Sequence, residues 1–462
     1  MRRVPIRIES FRETGPSFLI EDSRFAISEV PANMEQANNE NGVSEGGPAQ
    51  TNGGISLAWR ATWMTRIATA WLVYRLTGSA WLLGIVGFAG QIPTFLLAPF
   101  AGVWVDRLNR RHVLVVTQAL AMVQSLALAV LTLSHRITIA EILWLSVFQG
   151  LINAFDMPGR QAFMVQMIED RQDLGNAIAL NSSMVNIARL VGPSLAGLVI
   201  AGFGEGYCFL IDGISYTAVI LSLLMMQLPK FIVKTAIVSM IEQLKEGWTY
   251  VSQFSPVRTI LLLFAVVSLM GMPFTVLMPI FAVNVLHGGP HTLGFLMGAV
   301  GLGALIGAIS LALRRSVLGL GRVIAVSAAI FGASLIAFGM SRSLWLSLAL
   351  MAVTGFGMMR GMAASNTIIQ TIVPEDKRGR VMSYYTMAFV GMAPFGSLLA
   401  GGLAHLIGAP VTLMLTGAFC IVGAGWFTTR LPNIRLHIRP IYRDMGILPP
   451  EVITAIADGS GD

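Results

Sequence analysis

Asp156 and Arg160 stand four residues apart in an otherwise apolar stretch, with Pro158 between them, and Asp212, Arg66, Arg189 and Arg360 are single charges in comparable stretches. On a helix Asp156 and Arg160 share one face, and the proline frees a backbone carbonyl beside them. A carboxylate in such a setting can take up a proton from one side and release it to the other if its surroundings alternate. Two readings stand for each acid: a proton carrier, or a satisfied structural group, as an ion pair for Asp156 and as a cap or partner near one mouth for Asp212. Arg66, Arg189, Asp212 and Arg360 must face protein or a water-filled cavity, because a charge turned to lipid at depth costs on the order of 2.5 to 3.5 kcal/mol on insertion scales. Together these six residues are the candidates for proton coupling or substrate contact. Glu141, at the edge of a stretch, is expected to be solvated, and His405 to be packed at an interface.

The elements that carry these charges follow from composition. The 462 residues are 55% hydrophobic and 12% charged, against roughly 25% charged in an average soluble domain. That excludes a water-soluble globule and a disordered or collagen-like chain. Cys208 and Cys420 both lie inside apolar runs, so there is no disulfide framework to read. Residues 55–431 contain twelve apolar helical segments, about 31 residues each with their loops, which suits a membrane-spanning helix and a short connection. The segments are too long and too continuously apolar for the alternating strands of a barrel. The expected fold is an all-α membrane protein of twelve transmembrane helices in two six-helix pseudo-repeats. Its parts are a polar tail over 1–54, a six-helix bundle over 55–228, a linker over 229–257, a second bundle over 258–431 and a C-terminal tail over 432–462.

Within the linker Ile237, Ile241, Leu244, Trp248 and Val251 share one face, which predicts an amphipathic helix at the membrane interface. The apolar run of the first span, Ile55 to Leu76, is interrupted by Arg60 and Arg66, so a short first helix is expected. The net charge of +7 is distributed unevenly. Arg107, Arg110, Arg111, Arg171, Lys230, Lys234, Lys245, Arg258, Arg314, Arg315, Arg322, Lys377, Arg378 and Arg380 fall in alternate loops, whereas the other loops hold Arg75, Arg136 and Arg342. The positive-inside bias then puts both termini in the cytoplasm and the chain in the plasma (inner) membrane as a multi-pass protein. No basic stretch is interleaved with aromatics, so nucleic acid is not an expected partner.

Gly102-Val-Trp-Val-Asp106-Arg107-Leu-Asn109-Arg110-Arg111 closes the second span. A glycine there lets a neighbouring helix approach, and Asp106 can pair with a cation or helix N-terminus reached in one conformation only, which makes a latch; the alternative is a basic anchor with an incidental acid. In the fifth span small residues at 188, 192 and 196 form one stripe beside Pro193, suited to close helix packing and a bend. The run Gln166-Met-Ile-Glu-Asp before Gly192-Pro193 is echoed by Gln370 to Asp376 before Ala393-Pro394. Two parallel repeats that rock around a central cavity would serve alternating access.

The Gly102 to Arg111 run resembles the signature between helices 2 and 3 of the major facilitator superfamily, with Asn109 in place of a glycine. Gly192, Pro193 and Gly197 are similar to the antiporter signature of exporters in that superfamily, with alanine replacing two glycines. Phe148-Gln149-Gly150-Leu-Ile-Asn153-Ala154 is similar to its helix 4 signature, but Ser146 stands where the arginine belongs. Leu277-Met278-Pro279, the glycines from Gly294 to Gly307, and Asn366-Thr367 with Pro374-Glu375-Asp-Lys-Arg378-Gly379-Arg380-Val381 resemble the drug:proton antiporter-3 and enterobactin-exporter-like branch, the transmembrane secretion effectors. The resemblance implies a cytoplasmic gate formed by Gly102, Asp106, Arg107, Arg110, Arg111, Glu375, Arg378 and Arg380.

No Walker-type phosphate loop, no His/Cys/acid cluster of metal spacing and no catalytic Ser/His/Asp set appears in the sequence. No enzymatic activity, cofactor or metal is expected. The expected function is a monomeric secondary active transporter that exports small amphipathic molecules, drugs or siderophore-like metabolites, by proton antiport. A facilitative or uptake carrier of the same fold, and a lipid-handling scaffold or enzyme, remain the alternatives.

Overall fold

A computed structural model describes residues 48–166, 174–226, 240–314 and 316–447. The side chains of residues 48–62, 98, 99, 102, 103, 106, 107, 164–166, 174–183, 186 and 240–244 lie outside that description.

The apolar runs fold as helices, in chain order α1 Pro48–Thr77, α2 Ala80–Ala89, α3 Ile92–Arg107, α4 Arg110–Leu133, α5 Ile139–Gln166, α6 Leu174–Phe203, α7 Glu205–Met225, α8 Met240–Gln253, α9 Ser255–Val266, α10 Phe274–Ile280, α11 Pro290–Ala312, α12 Leu320–Met340, α13 Leu344–Ile372, α14 Glu375–Phe389, α15 Ala393–Ile407 and α16 Ala409–Asp444. Prolines explain several interruptions. Pro93 follows the break between α2 and α3, Pro273 the π-helical turn Val267–Gly271, and Pro394 the break between α14 and α15. A proline supplies no N–H to the preceding turn and crowds its carbonyl, so the helix restarts there. Pro158 in α5 and Pro193 in α6 are instead accommodated within continuous helices.

Among the described residues ten helical segments are long and apolar enough to cross a bilayer. This is an all-α, multi-pass membrane protein. The described part of α6, Ile187–Phe203, is apolar but shorter. Helix α1 is 30 residues long, where the apolar run alone suggested a short helix; its polar first turns extend the element.

Helices α1 to α7 pack chiefly among themselves, with α4 against α7, α1 against α6 and α7, and α3 against α5. Helices α9 to α16 do likewise, with α13 between α11 and α12 and α16 against α12. Two pairs do most to join the sets, α2 with α15 and α6 with α11. The interior of the second set is aromatic: Phe274, Phe281, Phe331, Phe338 and Phe427 are fully buried, and the Phe281 and Phe338 rings lie 4.6 Å apart. Exposed Trp144, Trp345, Phe203 and Leu406 decorate the outside, where lipid would cover them.

Candidate functional site

Both intramembrane acids are buried, in different surroundings. Asp156 on α5 takes Arg160 Nε at 2.6 Å, and its other oxygen accepts from Thr117 Oγ1 at 2.9 Å and Gln118 Nε2 at 2.6 Å, both on α4. The expected i, i+4 pair therefore forms, and it is fully engaged. Asp212 on α7 is held instead by hydroxyls. Its Oδ2 accepts from Thr65 Oγ1 of α1 at 2.6 Å and Ser125 Oγ of α4 at 3.1 Å, while Oδ1 is buried without a hydrogen-bond partner. Helix rise puts Asp212 about 10 Å from the Glu205 end of α7, and Asp156 about 25 Å from the Ile139 end of α5. These two helix ends lie at the same end of the molecule, where α4 finishes: a side chain added at Gly206 of α7 would strike Leu133.

The acids' partners on α4 recur at a helical period that the sequence carries. Thr117 and Gln118, and seven residues later Gln124 and Ser125, form a buried polar stripe on α4. Seven residues is two helical turns, so this stripe is readable as one face turned to the acids.

The arginines form a second group. The Arg66 guanidinium lies 5.2 Å from the Trp63 ring centroid and that of Arg189 5.5 Å from the same ring, so α1 and α6 bring two cations to one indole. Arg360 on α13 stacks 5.4 Å from Phe356 of its own helix. The Nε atoms of Arg189 and Arg360 are buried without a hydrogen-bond partner, while Arg66 is exposed although it lies well inside the length of α1.

The motif residues divide by location. Gly102, Asp106 and Arg107 end α3, with side chains outside the described residues. Arg110 donates to Ala162 O of α5 at 3.2 Å, and Arg111 to Leu224 O of α7, so these two tie the start of α4 to its neighbours. Arg378 lies 3.8 Å from Glu375 on an exposed turn of α14. Arg380 pairs with Glu246 of α8, and Trp248 and Tyr384 make a ring contact at 5.9 Å across the same two helices. Lys377 lies 5.0 Å above the Tyr250 ring. Burial, with the charge of Asp376, pushes the Tyr250 phenol above its ordinary value. A cavity of about 640 Å³ opens between α8 and α14 beside Lys245 and Lys377.

Gly192 and Pro193 are buried on α6, and Gly197 shows why the stripe of small residues exists. A Cβ on Gly197 would stand 2.7 Å from Pro290 O and 2.9 Å from Gly294 Cα of α11, and one on Gly301 2.7 Å from Leu190 Cα. The equivalent contact between α2 and α15, not singled out from the sequence, is as close. A Cβ on Gly84 would meet Ser397 O at 2.7 Å and Gly401 Cα at 2.9 Å. At position 146, where the helix 4 signature carries arginine, Ser146 packs next to Gly90, and a Cβ on Gly150 would meet Gly90 O at 2.7 Å.

Near these glycine contacts lies a cavity of about 760 Å³ whose lining includes Tyr74, Asn284, His287, Arg342 and His405. His405 is exposed to it, not packed as expected, because α15 ends there at Gly408, whose φ of 84° turns the chain outward into α16. Arg75 and Glu205, 2.7 Å apart, tie α1 to the start of α7 at the same end.

This arrangement of long apolar helices with charges held inside is that of a membrane transporter. Among solved structures, the chain is similar to a bacterial homolog of the human lysosomal transporter Spinster, with a TM-score of 0.63 and 13% identity over 84% of this chain and 97% of that one. It is likewise similar to the nucleoside transporter NupG, with a TM-score of 0.65 and 13% identity over 82% and 98% of the two chains. At the level of sequence, the chain matches the transmembrane secretion effectors over residues 56–454 and belongs to that family of the major facilitator superfamily. Its relatives include the staphyloferrin A transporter of Staphylococcus aureus (strain NCTC 8325 / PS 47), 26% identical over 82% of this chain and 96% of that protein. The multidrug efflux pump Tap of Mycolicibacterium fortuitum is 26% identical over 82% and 94%. The macrolide efflux protein A of Streptococcus pyogenes is 22% identical over 75% and 86%.

Proposed function

We propose that this transporter exports small amphipathic molecules across the plasma membrane in exchange for protons, and that Asp212 is the principal proton carrier. The observation that carries this reading is the carboxylate of Asp212: buried, held by two hydroxyls from α1 and α4, with one oxygen unpaired. Hydroxyls can donate to a carboxylate or accept from a carboxylic acid, so the group can gain and lose a proton without breaking an ion pair. Asp156 with Arg160 then holds α4 and α5 in register as a structural pair. The named relatives support export, two being efflux proteins.

The working architecture is twelve spans, the ten apolar segments with α1 and α6, arranged as bundles over 55–228 and 258–431. Supporting this are the two joining contacts: Gly197 with Gly294, and Gly401 with Gly84, each bring a glycine near the end of one helix onto a glycine near the start of another. Gly204 follows Gly197 at the same spacing as Gly408 follows Gly401, and both turn the chain with positive φ. With both termini cytoplasmic, the glycine-closed end is the outer one, and the molecule is in a state that loads from the cytoplasm. Substrate loaded in this state would leave from the alternative arrangement in which the glycine contacts part, and a proton taken up there by Asp212 would favour the return to the cytoplasm-loading state.

The test is transport in proteoliposomes with an imposed pH gradient and a panel of amphipathic drugs and siderophores. An exporter working by antiport concentrates its substrate in an acidic lumen, and a protonophore collapses the accumulation. Movement that ignores the gradient, or runs only with the proton, rejects the reading.

A further inference from the structure

The charges at the middle of the molecule do not balance. Counted along their helices, Arg66, Arg189 and Arg360 lie about 16 to 24 Å from the Thr77, Phe203 and Leu344 ends, which puts all three near mid-depth of a bilayer core. Arg66 and Arg189 share the Trp63 ring and are close enough to repel one another. Stacking on an indole offsets part of the cost of burying a guanidinium but leaves its charge in place. Among the described residues no acid pairs with any of the three, and the span acids are engaged elsewhere, Asp156 with Arg160 and Asp212 with hydroxyls. Arg189 and Arg360 each keep a buried Nε–H with no acceptor among the described residues. Arg66 and Arg189, planar, backed by one indole and without an acid partner among the described residues, are a receptor for negative charge.

The cavity at the glycine-closed end has the same sign. Its lining includes Arg342, His287 and His405 and no carboxylate, and the start of α16 at Ala409 adds the positive end of a helix dipole.

Taking the transporter reading as its basis, we infer that the substrate is an amphipathic organic anion, with its carboxylate held by Arg66 and Arg189 and its apolar body against Trp63. A carboxylate suits a guanidinium fork through two parallel hydrogen bonds, and the indole offers the rest of the ligand a flat apolar wall. The same chemistry would recognise the phosphate of a lipid headgroup, so the source of the anion is part of the test.

Three matched fluorophores serve as probes: dansyl-glycine, which is anionic, dansyl-glycinamide, which is neutral, and dansylcadaverine, which is cationic. Binding to the full chain in phosphatidylcholine nanodiscs should favour dansyl-glycine over both others by about tenfold or more, the worth of one charge-assisted contact. Arg66→Gln and Arg189→Gln should each remove that preference and leave dansyl-glycinamide within about twofold, whereas Arg189→Lys should keep a preference for the anion. Equal or tighter binding of dansylcadaverine, or dansyl-glycine binding unchanged in both glutamine variants, overturns the inference. Adding phosphatidylglycerol to the nanodiscs should leave dansyl-glycine affinity unchanged; a loss of about tenfold or more assigns the site to lipid headgroups and also overturns it. Gradient-driven movement of dansylcadaverine alone keeps the transporter reading and rejects the anion. Selective dansyl-glycine binding with no compound moved under any gradient keeps the anion site and rejects the transporter reading.

Discussion

Asp156 and Asp212 are both carboxylates of apolar spans, both buried, and both touch side chains of α4, yet their surroundings differ in kind. Asp156 has a guanidinium at 2.6 Å and two further donors, so each of its oxygens is occupied. Asp212 has two hydroxyls on one oxygen and nothing on the other. A carboxylate locked to a cation is costly to protonate, because the proton displaces the ion pair and strands the partner charge. A carboxylate held by hydroxyls can reverse the direction of its hydrogen bonds and remain satisfied. Of two acids that look equivalent along the chain, one is held in an ion pair and the other by hydroxyls alone.

The difference can be broken most directly by removing each charge in turn. Asp212→Asn should abolish uphill accumulation in proteoliposomes while leaving downhill counterflow intact, and Asp156→Asn should retain gradient-dependent accumulation. Stability should show the opposite ranking. Asp156→Ala removes the ion pair with Arg160 and the shared acceptor of Thr117 and Gln118 and should destabilise the folded protein by about 2–3 kcal/mol, whereas Asp212→Asn should cost about 1 kcal/mol or less; denaturant titration in mixed micelles measures both.

A third prediction concerns access to the two acids. Gly197→Leu forces a side chain against Pro290 O and Gly294 Cα, which should disfavour the closed contact between α6 and α11 by about 1–3 kcal/mol. Modification of Asp212 by a hydrophobic carbodiimide should then accelerate, with Asp156 unaffected; equal rates for Asp212 in both proteins would separate that acid from the glycine closure. The smallest effect is expected at the opposite end. Glu246→Gln breaks an ion pair with Arg380 that is largely open to solvent, worth about 0–1 kcal/mol, and should change neither acid's behaviour in transport.

Much of this was legible along the chain, for reasons that differ by feature. A span announces itself because about twenty apolar residues in a row have no other use in a helix of that length, and the Asp156 to Arg160 pair is local, set by one helical turn. The hydroxyls around Asp212 were not legible as a site, since Thr65 and Ser125 come from helices far apart in sequence and only the packing of α1, α4 and α7 brings them together. The polar stripe on α4 was the available signal. Likewise the Gly84 to Gly401 contact depends on which helices meet, whereas the α6 glycines stood out through their proline and regular spacing. The length of α1 was underestimated from hydropathy because its first turns are polar and still helical.

The central claim, that Asp212 carries the coupling proton, is tested by counting protons. In proteoliposomes loaded with a pH-sensitive dye, adding substrate should alkalinise an acidic lumen in the wild type and in Asp156→Asn, and fail to do so in Asp212→Asn while substrate exchange continues. Proton movement that persists in Asp212→Asn at the wild-type ratio to substrate would contradict the account.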